Sequence, residues 1–142
     1  MGERSDVLQS FVDATFAAYD ELAEGDDARR ALRRLRAKLR QPGKEQFAAG
    51  SRLAACDQLA PALSIGTTHA SLRPTLQRFE EIEPRLAWHR RHVNDPTGSA
   101  NCYDGHANAM IIGPGGIEER DDLWLGVTVL APNVRYPDHD HA

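Results

Sequence analysis

The sequence ends RYPDHDHA, residues 135–142. His139 and His141 stand one residue apart, with Tyr136 just ahead of them. On an extended strand side chains alternate, so residues i and i+2 share a face with Cα atoms about 6.5 Å apart. Two imidazoles projecting together can converge on one divalent cation, and neutral imidazole suits Zn, Fe, Cu and Ni. Two ligands hold a metal poorly; a catalytic site uses about three protein ligands plus water. His89, His92 and His106 are the internal candidates to complete the set, and their spacing singles out none of them. An HxH pair alone reads most simply as a solvated chain end. Here an apolar run and a Pro-Asn turn precede it, which puts the imidazoles just inside a sheet. An unpartnered polar group is costly there.

The elements that must position these residues change rhythm halfway along the chain. Leu8, Phe11, Val12, Phe16, Tyr19 and Leu22 recur every three or four residues and predict a helix, with Ser5 as N-cap and Gly25 as stop. A second helix is expected after Asp26 and Asp27, whose charges suit its N-terminal end; its stripe is Ala28, Ala31, Leu32, Leu35 and Leu39, and Pro42-Gly43 end it. A third spans about 44–63, with Leu53, Cys56, Leu59 and Leu63 inward and Pro61 bending or ending it. A fourth covers about 72–83, closed by Pro84.

Beyond Pro84 the period drops to two. Residues 86–93 predict a short strand and 94–106 a long loop. A strand over 107–112 is stopped by GPGG at 113–116. Residues 123–131, LWLGVTVLA, form the strongest strand: Leu123, Leu125, Val127, Val129 and Ala131 face one way, Trp124, Gly126, Thr128 and Leu130 the other. Pro132-Asn133 makes a turn, and Val134 is expected to start a further strand carrying the histidines. The class is α+β. The last strands want a second sheet against them, so the chain is expected to be the N-terminal part of a larger β-rich protein.

Composition excludes several functions. At 142 residues with a net charge of −4, the chain gives no general attraction to nucleic acid or anionic lipid. No apolar run reaches the roughly 18 residues of a membrane span, and the N-terminus lacks a secretory pattern. Cys56 and Cys102 are too few for a disulfide framework; Cys56 is expected in the core and Cys102 exposed, both in a reducing cytoplasm. The basic run ARRALRRLRAKLR, residues 28–40, reads as a solvated helix face, with Glu80–Glu83 and Glu118–Asp122 as acidic partners. GPGG lacks the Lys-Ser/Thr ending of a phosphate loop and reads as a turn. Calcium-loop spacing is missing from the sequence.

GPGGIEERDDLWLGVTVLAPNVRYPDHDHA, residues 113–142, resembles the metal-site region of cupins. More narrowly, it resembles the bacterial dimethylsulfoniopropionate (DMSP) lyase family, in which a GP-containing loop precedes LGxxLxAP and then YPxHxH. This sequence has LGVTVLAP at 125–132 and YPDHDH at 136–141, and looser similarity extends back to about Trp88. The resemblance implies an N-terminal helical region over 1–86, then the first strands of a cupin barrel (a jelly-roll-like double-stranded β-helix) over 87–142. It implies a metal-dependent carbon–sulfur lyase that breaks DMSP into dimethyl sulfide and acrylate by β-elimination. His139 and His141 match metal ligands, for Fe, Zn, Mn, Co or Ni, and Tyr136 matches a tyrosine used near the substrate. The implied partner is a small zwitterion, not nucleic acid or membrane, with a homodimer possible, in the cytoplasm. The family's glutamate, its base tyrosine and its last histidine would fall after residue 142. The chain is therefore expected to be truncated within the motif, as a partial or inactive fragment. The alternative is a cupin-type ligand-binding regulator whose basic helix contacts DNA. Of the aromatics that could hold a sulfonium, Trp88, Tyr103 and Trp124 are expected mainly in packing roles, with Tyr136 set apart by its place beside the histidines.

Overall fold

A computed structural model gives the fold and describes residues 2–91 and 95–140. Helix α1, Asp6–Leu22, begins where expected: the Ser5 hydroxyl accepts the Leu8 N–H at 3.4 Å, and Asp6 lies in the first turn. Its buried stripe is Leu8, Phe11, Val12 and Phe16. Gly25 does not stop this helix. The helix ends at Leu22 with Ala23 as its C-cap, and Gly25, at φ 84°, is the N-cap of α2, Asp26–Leu39. Helix α2 half-buries Leu32 and Leu35 and buries Leu39. Its cations pair nearby: Arg30 with Asp27, Arg36 with Asp20 on α1, and Lys38 with Asp122. The basic run is thus largely a solvated face with intramolecular partners, one of them in the expected acidic patch.

The predicted long helix over 44–63 does not form. Lys44–Glu45 is a two-residue strand, β1, followed by irregular chain, a 3-10 segment at Ala54–Gln58 and α3, Leu59–Ile65. The reason is local. The buried Glu45 carboxylate accepts the Ser5 N–H (2.7 Å) and hydroxyl (2.8 Å) and pairs with Arg85 at 2.7 Å, which holds the backbone extended. Pro61 sits in the first turn of α3, where its missing N–H costs nothing. Helix α4, Leu72–Ile82, packs on α1 through Phe79 and Phe11, with ring centroids 6.5 Å apart, and Pro84 turns its end into a 3-10 segment.

A short helix α5, Cys102–Gly105, leads into β2, His106–Ile112; β3, Glu118–Glu119, and β4, Leu125–Leu130, complete a sheet in the order β1-β3-β2-β4. The GPGG turn joins β2 to the parallel β3, with Gly113 at φ 140° and Gly115 at φ 73°, a region that disfavours side chains. Strands β2 and β4 pair antiparallel, with Ala107 opposite Val129, Asn108 opposite Thr128 and Ala109 opposite Val127. The predicted strand over 86–93 reduces to two isolated bridges, Ser51 with Ala87 and His89 with Asn108; residues 92 and 93 lie outside the described part. Cys102 is buried, not exposed as expected, because α5 turns it inward; Cys56 is buried as expected.

Buried ions fasten helices to sheet. Glu118 is fully buried and takes two bonds from Arg4, at 2.6 and 3.1 Å. Its Oε1 also accepts the Gly43 N–H at 2.8 Å and an Arg120 N–H at 3.1 Å. Burial pushes the Glu118 carboxyl up, but Arg4, the Gly43 N–H and Arg120 outweigh it and hold it below the ordinary value.

Candidate functional site

Alternation gives the β2–β4 pair two faces. Ala107, Ala109, Ile111 and Val129 turn to the helices and are buried. Asn108, Met110, Gly126 and Thr128 turn the other way, onto an open groove of about 630 Å³ bordered also by Trp124 and His139. The sequence predicts this division of β4 correctly, and the histidine-bearing segment does reach the groove.

It does not reach it as a strand. Residues 134–140 form no ladder. After the Pro132-Asn133 turn, where Asn133 adopts φ 63°, the segment is tied to the 95–101 loop. Ser99 N–H donates to Arg135 O (2.9 Å), Arg135 N–H to Ser99 Oγ (2.8 Å) and Asp138 N–H to Thr97 Oγ1 (2.8 Å). The Thr97 hydroxyl donates in turn to Asp95, and with the Thr97 N–H it holds that carboxyl below its ordinary value. These side-chain bonds satisfy groups that a ladder would otherwise take. Strand alternation therefore does not orient His139; His141 lies outside the described residues, as does His92.

Tyr136 is the best-defined group in the groove. Its ring sits edge-on between His106 (centroids 5.4 Å, 76°) and His139 (5.2 Å, 71°). Its hydroxyl oxygen accepts Asn108 Nδ2–H at 3.1 Å, and the Thr128 hydroxyl donates to Asn108 Oδ1 at 2.6 Å. The Arg91 guanidinium lies 5.9 Å from the ring centroid. Tyr136 and Arg91 also border a second cavity of about 440 Å³, on the loop side, with Asp95, Ser99, Tyr103 and His106.

The internal histidine candidates separate. His106 is buried: Nδ1–H donates to Cys102 O at 2.5 Å, and Nε2 accepts the Arg91 N–H at 3.0 Å. Both ring nitrogens are engaged with backbone, so His106 props Tyr136 and is not available as a ligand in this arrangement. His89 is exposed and borders the groove. His139 is exposed, with Nδ1 2.8 Å from Pro137 O. A carbonyl can only accept, so Nδ1–H is the donor in that bond, the outer hydrogen bond that many metal-binding histidines carry. Among the described residues, no three His, Cys, Asp or Glu side chains converge to hold a metal. The described part thus offers one imidazole of the fitting kind and not a complete centre.

The aromatics separate too. Trp88 is buried, donating Nε1–H to Glu83 at 3.0 Å, and is core. Tyr103 packs under Arg90, 5.1 Å from its ring centroid, beside the second cavity. Trp124 is 71% exposed at the groove's edge. Residues the sequence argument passed over are Asn108 and Thr128. Their signal was one polar side chain in the middle of each of two apolar strands, ANAMII and LGVTVL.

A helical region packed on one face of a mixed sheet, with a groove on the other, is consistent with part of a cupin barrel. The dimethylsulfoniopropionate lyase family model matches residues 27–142, and the chain belongs to that family. A solved structure described as "Crystal structures of DMSP lyases RdDddP and RnDddQII" shares the fold at a TM-score of 0.58 and 14% identity. The match covers 90% of this chain and 60% of that one, so this chain spans less than two thirds of that structure's length. No curated protein matches the sequence. None of the described helices is long and apolar enough to cross a membrane.

Proposed function

We propose that this chain supplies the groove and part of the metal site of a DMSP lyase, with Tyr136 touching the substrate and His139 and His141 as metal ligands. The observation that carries this reading is the meeting of Tyr136 and His139 over the open groove, within a segment covered by the family match. The substrate has a carboxylate at one end and a dimethylsulfonium at the other. The chemistry is a β-elimination: a general base takes the proton from the carbon beside the carboxylate, the C–H electron pair forms the C=C bond, and the C–S bond breaks with its pair going to sulfur. Dimethyl sulfide departs and acrylate remains. A divalent Fe, Zn, Mn, Co or Ni ion on His139 and His141, with further ligands, would supply a Lewis acid for the carboxylate.

The chain's own residues do the rest of what can be assigned. The Tyr136 oxygen is held by Asn108, so its hydrogen is left to point at a ligand in the groove. The exposed face of Trp124 offers a sulfonium cation–π attraction of about 0.5–2 kcal/mol. The Arg91 cation stands over the Tyr136 ring at the border of the groove and favours the carboxylate end of a zwitterion over the sulfonium end.

The test is headspace assay of dimethyl sulfide, with acrylate measured in solution, from DMSP and the full-length protein. Tyr136→Phe and His139→Ala are each expected to lower release at least about tenfold. Equal release from all three proteins overturns the assignment. A Co(II) absorption spectrum checks the metal role apart from turnover: His139→Ala should weaken or change it.

A further inference from the structure

The Tyr136 ring and the Tyr136 hydroxyl are fixed by different parts of the fold. His106 and His139 hold the ring from two sides. Neither bonds its oxygen in the contacts described above; Asn108 does, from β2. Asn108 stands between its cross-strand partner Thr128, whose hydroxyl donates to Oδ1 at 2.6 Å, and Tyr136, which its Nδ2 meets at 3.1 Å, so the two bonds run in one direction from Thr128 through Asn108 to Tyr136. An amide oriented by its network presents one end as acceptor and the other as donor. The phenolic oxygen is therefore an acceptor in this bond, and its hydrogen is directed elsewhere.

We propose that Thr128 and Asn108 form a positioning relay, in which the β2–β4 pair sets the direction of the Tyr136 O–H and aims it into the groove. That this direction serves a substrate rests on the lyase reading above; the relay itself does not. Asn108 and Thr128 are positioning residues, acting on the reaction through Tyr136. Their central place in two hydrogen-bonded strands gives the hydroxyl a rigid support, whereas the backbone on either side of Tyr136 is tied to the 95–101 loop. A displacement of about 1 Å in a reacting group can cost about a hundredfold in rate.

The experiment uses protein labelled with 13C at the tyrosine Cζ position. The sequence has three tyrosines, and Tyr136→Phe assigns the resonance of interest. Asn108→Asp keeps the shape and replaces the donor with an acceptor. Thr128→Val keeps the shape and removes the hydroxyl, while Thr128→Ser restores it. At fixed pH, Asn108→Asp and Thr128→Val should move the Tyr136 resonance, and Thr128→Ser should leave it near its original position. In the DMSP assay, Asn108→Asp should lower kcat at least about tenfold while KM stays within about twofold, since a group acting only in the transition state is misaimed. A resonance unmoved by Asn108→Asp in folded protein overturns the relay. A raised KM with unchanged kcat overturns its role in aiming the hydroxyl at the reaction. A resonance that moves in a protein whose parent releases no dimethyl sulfide sustains the relay and removes the lyase reading instead.

Discussion

The two faces of the β2–β4 pair are made from alternate residues of the same strands and obey opposite rules. Toward the helices stand Ala107, Ala109, Ile111 and Val129, small and branched side chains closed off from water. Toward the groove stand Asn108, Met110, Gly126, Thr128 and Leu130, partly or fully exposed, with Tyr136 and His139 above them. The buried face is specified by apolar area, which is non-directional and tolerant of detail. The groove face is specified by a few hydrogen bonds with definite geometry. Stability and site are thus separated by a single step along the backbone.

That separation is most directly broken by moving one charge across it. Ala109→Asp places a carboxylate on the buried face, between Ala107 and Ile111. It should destabilise by more than about 4 kcal/mol and leave little folded protein. Asn108→Asp, one residue earlier, should remain folded with its carboxylate in the groove. Circular dichroism and denaturant titration of the two variants compare the faces; similar midpoints would show that the faces are not distinct in energy.

The next effect tests how the buried side is fastened at its edge. Arg4→Met leaves the fully buried Glu118 with Arg120 and the Gly43 N–H but without its two-bond partner. A loss of about 3 kcal/mol is expected, at the low end for a broken buried pair because one cation remains. The pH dependence has a fixed sign. The folded-state value of Glu118 is depressed, so its stabilising contribution is present above the unfolded value of about 4.3 and is lost as pH falls through the folded one. Arg4→Met should flatten that acid-side loss in a urea series run from neutral to acid pH. An unchanged slope would mean that Arg4 is not what depresses Glu118.

The same contrast decides what was legible in the sequence. Buried-face residues such as Ile111 and Val129 announce themselves by period, and α1, α2, α4, β2 and β4 follow from it. Long-range polar bonds have no period. Nothing near Glu45 reveals that Ser5 and Arg85 will hold it, so β1 reads as helix. Nothing near Arg135 reveals that Ser99 and Thr97 will tie residues 134–140 to a loop, so that segment reads as strand. Tyr136 and His139 are singled out in the sequence because the YPDHDH string carries a family pattern. Asn108 was not, because a lone amide in an apolar strand is recognised only when its partners are seen.

The smallest effect sharpens the comparison from the groove side. Trp124 is 71% exposed, so Trp124→Ala should change stability by no more than about 0.5 kcal/mol. If its indole face receives the sulfonium, the same substitution should weaken binding of a small sulfonium by about 2–30-fold, the equivalent of 0.5–2 kcal/mol. The two tryptophans make this readable in one cuvette. Trp88 is buried in the core and donates to Glu83, while Trp124 faces the groove. Titration with DMSP should therefore perturb the solvent-exposed, longer-wavelength part of the emission, and the perturbation should vanish in Trp124→Ala. A perturbation that survives that substitution places the ligand away from Trp124 and assigns the sulfonium end to another wall of the groove.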